Sequence, residues 1–262
     1  MALPLPKLPH DPKEIKVQVA LGSLDDAMLL RVIKRRNTSG EILTRLYRSG
    51  TLSYMAMKAL TKHTNVPTKV LQEIYEDSEL CTGEKWAECH KRGSSYFHPV
   101  TMILDHPRLP LACLTQVLQT IHNLDIKNMG RVSGDAIKNP QTPPSYLRIL
   151  STHTAAIVRN AVAMHPSTPP EILKELAKDT GDVRGSWHNP QASVAGNPIT
   201  PSRTLIKLSL SSKAAIRKIV AQNKSTPVST LKQLVFNEKA SSVIVASMLT
   251  LLDLNRITIA DD

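Results

Sequence analysis

Aromatic side chains are scarce in this chain: two Trp, five Tyr and two Phe make up 3% of its 262 residues. A platform for single-stranded nucleic acid needs successive exposed rings on which bases stack, and this composition argues against one. Cysteine is rarer still. Three thiols cannot all pair, so no disulfide framework is expected, and a soluble protein of the reducing cytoplasm is the default. No stretch approaches the ~20 apolar residues that cross a bilayer. The opening Met1-Ala2-Leu3-Pro4-Leu5-Pro6 sets prolines where the apolar core of a signal peptide needs helix, so no secretory leader is expected. Motifs that carry chemistry are missing too. There is no Gly-rich phosphate loop, no His-Glu-x-x-His and no nucleophile elbow. A non-enzymatic protein without a cofactor is the expectation.

Proline, by contrast, recurs in register. Asn139-Pro140-Gln141-Thr142-Pro143, His165-Pro166-Ser167-Thr168-Pro169 and Asn197-Pro198-Ile199-Thr200-Pro201 are near copies. Asn223-Lys224-Ser225-Thr226-Pro227 has lost the first proline, and His106-Pro107-Arg108-Leu109-Pro110 the threonine. Leucine-like pairs three apart follow each copy: Leu114/Val117, Leu147/Leu150, Leu173/Leu176, Leu205/Leu208 and Leu231/Leu234. With the second proline or its equivalent as phase mark, the units begin at 39, 67, 110, 143, 169, 201 and 227. The shortest step, 26 residues, is the basic period, and the steps of 43 and 32 mark insertions. A period of this size predicts a stack of two-helix units. The first leg, such as Pro170–Ala177, has Thr168 to cap it, Pro in its first turn and Glu171 beside the positive helix end. The second leg, such as Ile157–Ala163 or Ile216–Ala221, buries one side through apolar residues three and four apart. Ser23-Leu24-Asp25-Asp26 predicts the cap of an earlier helix that ends near Lys34-Arg35-Arg36.

Four regions follow from this phasing. Residues 1–36 form a lead and capping helix, and 37–135 are degenerate repeats with a Cys/His-containing insertion. Residues 136–235 are the regular units, and 236–262 are a C-terminal cap and tail. Charge is uneven within a net +11: residues 1–62 carry 11 basic and 5 acidic groups, 63–135 carry 7 and 9, and 136–262 carry 15 and 8. Basic ends around an acidic centre fit a polyanionic partner such as DNA or an acidic protein face. They fit ordinary solvated helix faces equally well.

The run Val158-Arg159-Asn160-Ala161-Val162-Ala163-Met164-His165-Pro166-Ser167-Thr168-Pro169 resembles the leucine-rich repeat variant family, with His where that pattern has Asn. The resemblance is strong over 136–235 and degenerate over 37–135. It implies an all-α fold: a right-handed α-solenoid of about 26-residue repeats that alternate α and 3₁₀ helices. Some members of that family hold an iron–sulfur cluster on a cysteine-rich segment ahead of the repeats. The first 80 residues here contain no cysteine, so no cluster is carried over.

Candidate contacts with a protein or nucleic-acid partner fall into three groups. Lys34, Arg35 and Arg36 lie outside the repeat pattern and suit phosphates. Arg184, Trp187 and His188 sit in the second insertion, where Trp beside Arg makes a contact anchor; the alternative is a Trp187 folded back to plug the layer. Arg159 and Arg217 share a repeat phase and would line a basic edge, joined by Lys218, Lys213 and Lys138. An internal role is the better reading for the two arginines, because proline-rich turns leave carbonyls to satisfy. In the first insertion, Cys81, Cys89, His90 and His98 offer zinc-type ligands, but Cys-x7-Cys lacks a tight knuckle. The function expected is a helical-repeat binding scaffold. A nucleic-acid-acting enzyme or repair factor on such repeats, or a metal- or iron–sulfur-containing repeat protein, are the alternatives.

Overall fold

The computed structural model describes residues 25–77, 102–123, 131–181 and 189–260. Apart from a 3₁₀ turn at Met102, the regular structure among them is α-helical: fourteen α-helices and no strand. The chain divides into two compact units, Met1–Val117 and Leu118–Asp262.

The first unit holds α1 (Asp26–Ile33), α2 (Gly40–Arg48), α3 (Tyr54–Thr61), α4 (Thr68–Asp77) and the start of α5 (Leu111–Asn123). Side-chain oxygens of Asp25, Ser39 and Ser53 cap α1, α2 and α3 by accepting the N–H groups of Met28, Ile42 and Ala56. The cap of α1 is thus Asp25 rather than Ser23. Gly40, at the first position of α2, faces the next turn so closely that a Cβ would stand 3.0 Å from the Pro67 ring and 3.1 Å from the Asn65 carbonyl.

The second unit continues with α6 (Arg131–Lys138), α7 (Pro144–Leu150), α8 (Ala156–Met164), α9 (Pro170–Leu176) and α10 (Pro190–Gly196). It closes with α11 (Ser202–Leu208), α12 (Ala214–Gln222), α13 (Val228–Asn237) and α14 (Ser241–Ala260). The even-numbered helices form a row: α6 packs on α8, α8 on α10, α10 on α12 and α12 on α14. The odd-numbered helices, which follow the Thr-Pro turns, lean on that row, with α7 and α9 against α8 and α11 against α12. Small residues permit the close approach. Ala161, Val162, Ala163, Val194, Ala195, Val220 and Ala221 are all buried along the row, while Leu147, Leu150, Leu173, Leu205, Leu208 and Leu231 fill the space beneath the odd helices.

Two expectations are corrected. Alternation of α with 3₁₀ is not seen in the units from 131 to 237, where both legs are α-helices; ahead of the His106 turn, Met102 lies in a 3₁₀ turn. Three-residue hydrogen bonding is found at the helix ends and in the turns: Pro169 O takes both Ile172 N and Leu173 N, His165 N bonds to Val162 O, and Thr168 N to His165 O. Seven residues already allow i→i−4 bonding, and the poorer 3₁₀ geometry is seldom kept beyond three or four residues. Thr168 does not cap the helix that follows it. Pro169 is the N-cap of α9 and makes no side-chain bond, its fixed φ supplying the entry. The Thr168 hydroxyl turns back and donates to Val162 O at 2.5 Å. Thr142, Thr200 and Thr226 do the same to Ala136, Val194 and Val220. Each threonine therefore closes the C-terminal end of the preceding helix, where carbonyls lack intrahelical partners.

Candidate functional site

The Asn or His that opens each proline turn is buried, and it joins its repeat to the one before. Asn223 Nδ2 donates to Ala195 O (2.8 Å) and Asn197 O (2.9 Å), while its Oδ1 accepts from Ser225 N at 2.9 Å. Asn197 repeats the pattern one unit earlier, donating to Ala163 O (2.8 Å) and His165 O (3.0 Å) and accepting from Ile199 N. His165 reproduces it with a ring. Nδ1 accepts Ser167 N at 3.0 Å, which fixes the proton on Nε2, and that nitrogen donates to Asn139 O at 3.0 Å. In the first unit, His63 accepts from Asn65 N and donates to Arg35 O in the same way. Burial pushes the His165 imidazole below its ordinary pKa, against the opposing bond to Asn139. His106 is pushed down by burial and by the nearby Arg108 charge. His106 and His165 hold the scaffold as neutral rings.

Arg159 and Arg217 are also built into the fold. Arg159 Nη1 donates to His153 O and Thr154 O, each at 2.7 Å, and its Nε and Nη2 grip Asp179 at 2.6 and 3.3 Å. Burial resists the Asp179 charge, but bonds from Arg159 and from Gly181 N hold the carboxyl below its usual range. Arg217 binds Ser211 O at 2.6 Å and takes Glu238 bidentately at 2.5 and 2.8 Å. The Arg217 bond and the Lys239 and Ala240 N–H groups lower the Glu238 carboxyl to about 2. Where the phase lacks arginine, Gln191 reaches a different carbonyl of the preceding loop, Ala177 O, at 2.9 Å. Replacing Arg217 with methionine strips Glu238 of its cation, leaving it only the Lys239 and Ala240 N–H groups, and leaves Ser211 O unpartnered; a lower urea midpoint is the expected result. Lysine at 217 restores little of it, having no planar fork for two carboxylate oxygens.

With the arginines committed, the unpaired charge lies elsewhere. Residues 139–181 hold four basic groups and three acidic ones, and each acid is engaged: Glu171 by Arg148, Glu175 by Lys178, Asp179 by Arg159. Residues 190–254 hold eight basic groups against Glu238 and Asp253, and Arg217 occupies Glu238. The other seven are exposed and form no ion pair among the described residues. Arg203 and Lys207 stand one turn apart on α11. Lys213 and Lys218 flank and occupy α12, Lys224 sits in the next turn, Lys232 on α13 and Lys239 just after it.

The outer faces of α11 and α13 match position for position at the 26-residue step. Arg203, Ile206 and Lys207 of α11 and Leu210, two residues past its end, correspond to Ser229, Lys232, Gln233 and Phe236 of α13. Leu210 and Phe236 are 81% and 82% exposed, the most exposed large apolar side chains among the described residues. A cleft of about 410 Å³ opens between these repeats, lined by Leu210, Gln233, Asn237 and Lys239 over the Arg217–Glu238 pair.

Of the residues singled out in the sequence, Lys34 and Arg36 are exposed at the end of α1, and Arg35 is half-buried. Their unit uses this turn structurally, since Arg35 O and Arg36 O accept bonds from His63 and Asn65. Lys218 belongs to the basic surface of the second unit; Arg159 and Arg217 are bound to Asp179 and Glu238 and to loop carbonyls. Arg184, Trp187 and His188, and the metal-type candidates Cys81, Cys89, His90 and His98, lie outside the described residues. Among the described residues, no three His, Cys, Asp or Glu side chains converge to hold a metal. No described helix is long and apolar enough to cross a membrane. Reading the sequence missed Lys207, Leu210, Lys232 and Phe236. The signal was present: at the position of Leu210 and Phe236, the two preceding units carry Thr152 and Lys178. No family model, no curated protein and no solved structure matches this chain.

Proposed function

We propose that this chain is a non-enzymatic binding scaffold that engages an acidic macromolecule through the exposed basic surface of residues 190–254. The observation that carries the reading is the imbalance there: seven exposed basic side chains beside one uncommitted acid, Asp253, next to repeats in which every acid is paired. Charge of one sign on adjoining elements raises the local concentration of opposite charge and speeds association. The second unit is read as a right-handed α-solenoid of the leucine-rich repeat variant kind, and the first as carrying degenerate units of that kind. The row from α6 to α14 and the Asn/His bonding between successive turns support this. A cytoplasmic setting suits a chain with three cysteines.

Polyglutamate, heparin and a short DNA duplex serve as probes for the surface. Binding is expected at low salt and should weaken steeply as salt rises, because released counterions drive it. Neutralising Lys207, Lys218 and Lys232 together should reduce affinity about tenfold or more at low salt, at roughly 1 kcal/mol or less for each exposed charge. Neutralising Lys34 and Arg36 should change it less. Failure of all three probes at low ionic strength would remove the proposal.

A further inference from the structure

Charge alone does not account for this surface. Leu210 and Phe236 occupy the same phase of consecutive repeats, and each leaves more than four-fifths of its side chain in water. In the two units before them, that position is polar, as a solvated helix face requires. Lys207 lies on α11, three residues before Leu210 in the turn that follows it. Lys232 lies one turn before Phe236 on α13, and Lys239 follows at the far rim. The cleft between the repeats is concave and half polar, with Gln233 and Asn237 amides on its wall. Its 410 Å³ volume suits one or two inserted side chains.

We propose that this cleft, together with the exposed helix faces that carry Lys207, Lys232 and Phe236 outside its lining, docks an acidic amphipathic segment of a protein partner. The partner's apolar side chains cover Leu210 and Phe236, and its carboxylates reach Lys207, Lys232 and Lys239. The inference rests on residues 190–254 being an anion-binding surface and adds the chemical class of what binds there. Two features select protein over nucleic acid. Duplex DNA presents phosphates and sugars, which offer nothing apolar to cover a leucine and a phenylalanine standing a repeat apart. Single strands bind by stacking on successive rings, and here a leucine stands where a second ring would be needed. A helix carrying leucine or phenylalanine at i, i+3, i+4 and i+7 with Asp and Glu beside them supplies both chemistries, as in helix-in-groove recognition. Gln233 and Asn237 then serve as hydrogen-bonding partners at the cleft wall, where side-chain amides give register.

The test uses the full chain and four probes: a 16-residue helical peptide with Leu and Phe at those spacings among Glu residues, polyglutamate of equal charge, a 16-base-pair duplex, and vesicles of phosphatidylserine with phosphatidylcholine. The amphipathic peptide should bind at least tenfold tighter than polyglutamate at physiological salt. The double variant Leu210→Ser/Phe236→Ser should erase that advantage while leaving polyglutamate binding and the circular dichroism spectrum unchanged, both positions being exposed. Lys207→Glu/Lys232→Glu should weaken the peptide and polyglutamate alike. A peptide no tighter than polyglutamate overturns the inference and leaves the basic surface standing, as does an advantage that survives the double variant. Tighter binding of the duplex or the vesicles overturns it in favour of that partner. Silence from every anionic probe overturns both readings.

Discussion

Replacing Asn197 with leucine lowers the free energy of unfolding by about 3 kcal/mol or more in urea denaturation at pH 8. Leucine fills nearly the same volume but returns none of three hydrogen bonds, so Ala163 O and Ile199 N lose their partner and His165 O keeps only Thr168 N. Each stranded buried group costs about 1–3 kcal/mol. The side chain is 3% exposed, so water does not take the place of the amide without opening the contact. Asn197→His is the informative companion, because His165 already does this work one unit earlier. At pH 8 the histidine variant should recover most of the loss, keeping one donated and one accepted bond. A histidine variant no better than leucine would mean that the site demands the amide's second N–H.

Acid should loosen the scaffold in a window that belongs to histidine. His106 and His165 have pKa values below the ordinary value when folded, so the unfolded chain binds more protons than the folded one once the pH falls to about 6.5. Stability from these rings is complete above about pH 6.5, declines as the pH drops through that value, and levels off below the folded pKa. A protonated Nδ1 faces Ser167 N in one ring and Arg108 N in the other, donor against donor. The paired carboxylates act at lower pH: Glu238 is held at about 2 and Asp179 below its usual range, so their contributions persist above about pH 4. The urea midpoint should therefore fall between pH 7.5 and pH 5. The double variant His106→Asn/His165→Asn should flatten most of that fall, since asparagine fills the same phase in neighbouring units without titrating. An undiminished slope in that variant would place the proton uptake elsewhere.

The parts that were readable in the sequence are those set by local chemistry. Proline fixes φ wherever it stands, so the starts of α7, α9, α11 and α13 follow from Pro143, Pro169, Pro201 and Pro227. The leucine pairs behind them fall on the buried side because spacing by three defines a face. The unread parts depend on partners across the fold. Arg159 looks like surface charge until Asp179, 20 residues on, is brought to it. Thr168 sits where a cap belongs, and only the backbone path shows its hydroxyl aimed at the helix behind. Leu210 and Phe236 are apolar, and apolar letters are read as core; their exposure emerges only once α11 and α13 are in phase. The basic surface was hidden for a related reason. Net charge was spread over 127 residues from 136 to 262, whereas pairing cancels it in the earlier units and leaves it whole in the later ones.

The hydrogen bonding between turns also has a direction. Asn223 donates to the turn of Asn197, Asn197 to that of His165, His165 to that of Asn139, and His63 to that of Arg35; every one of these side chains reaches toward the N-terminus. Shortening the second unit from its C-terminal side removes donors and exposes only carbonyls, which water satisfies at the new surface. Shortening it from the N-terminal side strips away acceptors and leaves an amide or an imidazole pointing into an emptied contact. Successive truncations should therefore be graded from one end and abrupt from the other, which makes the array a ratchet rather than a symmetric stack.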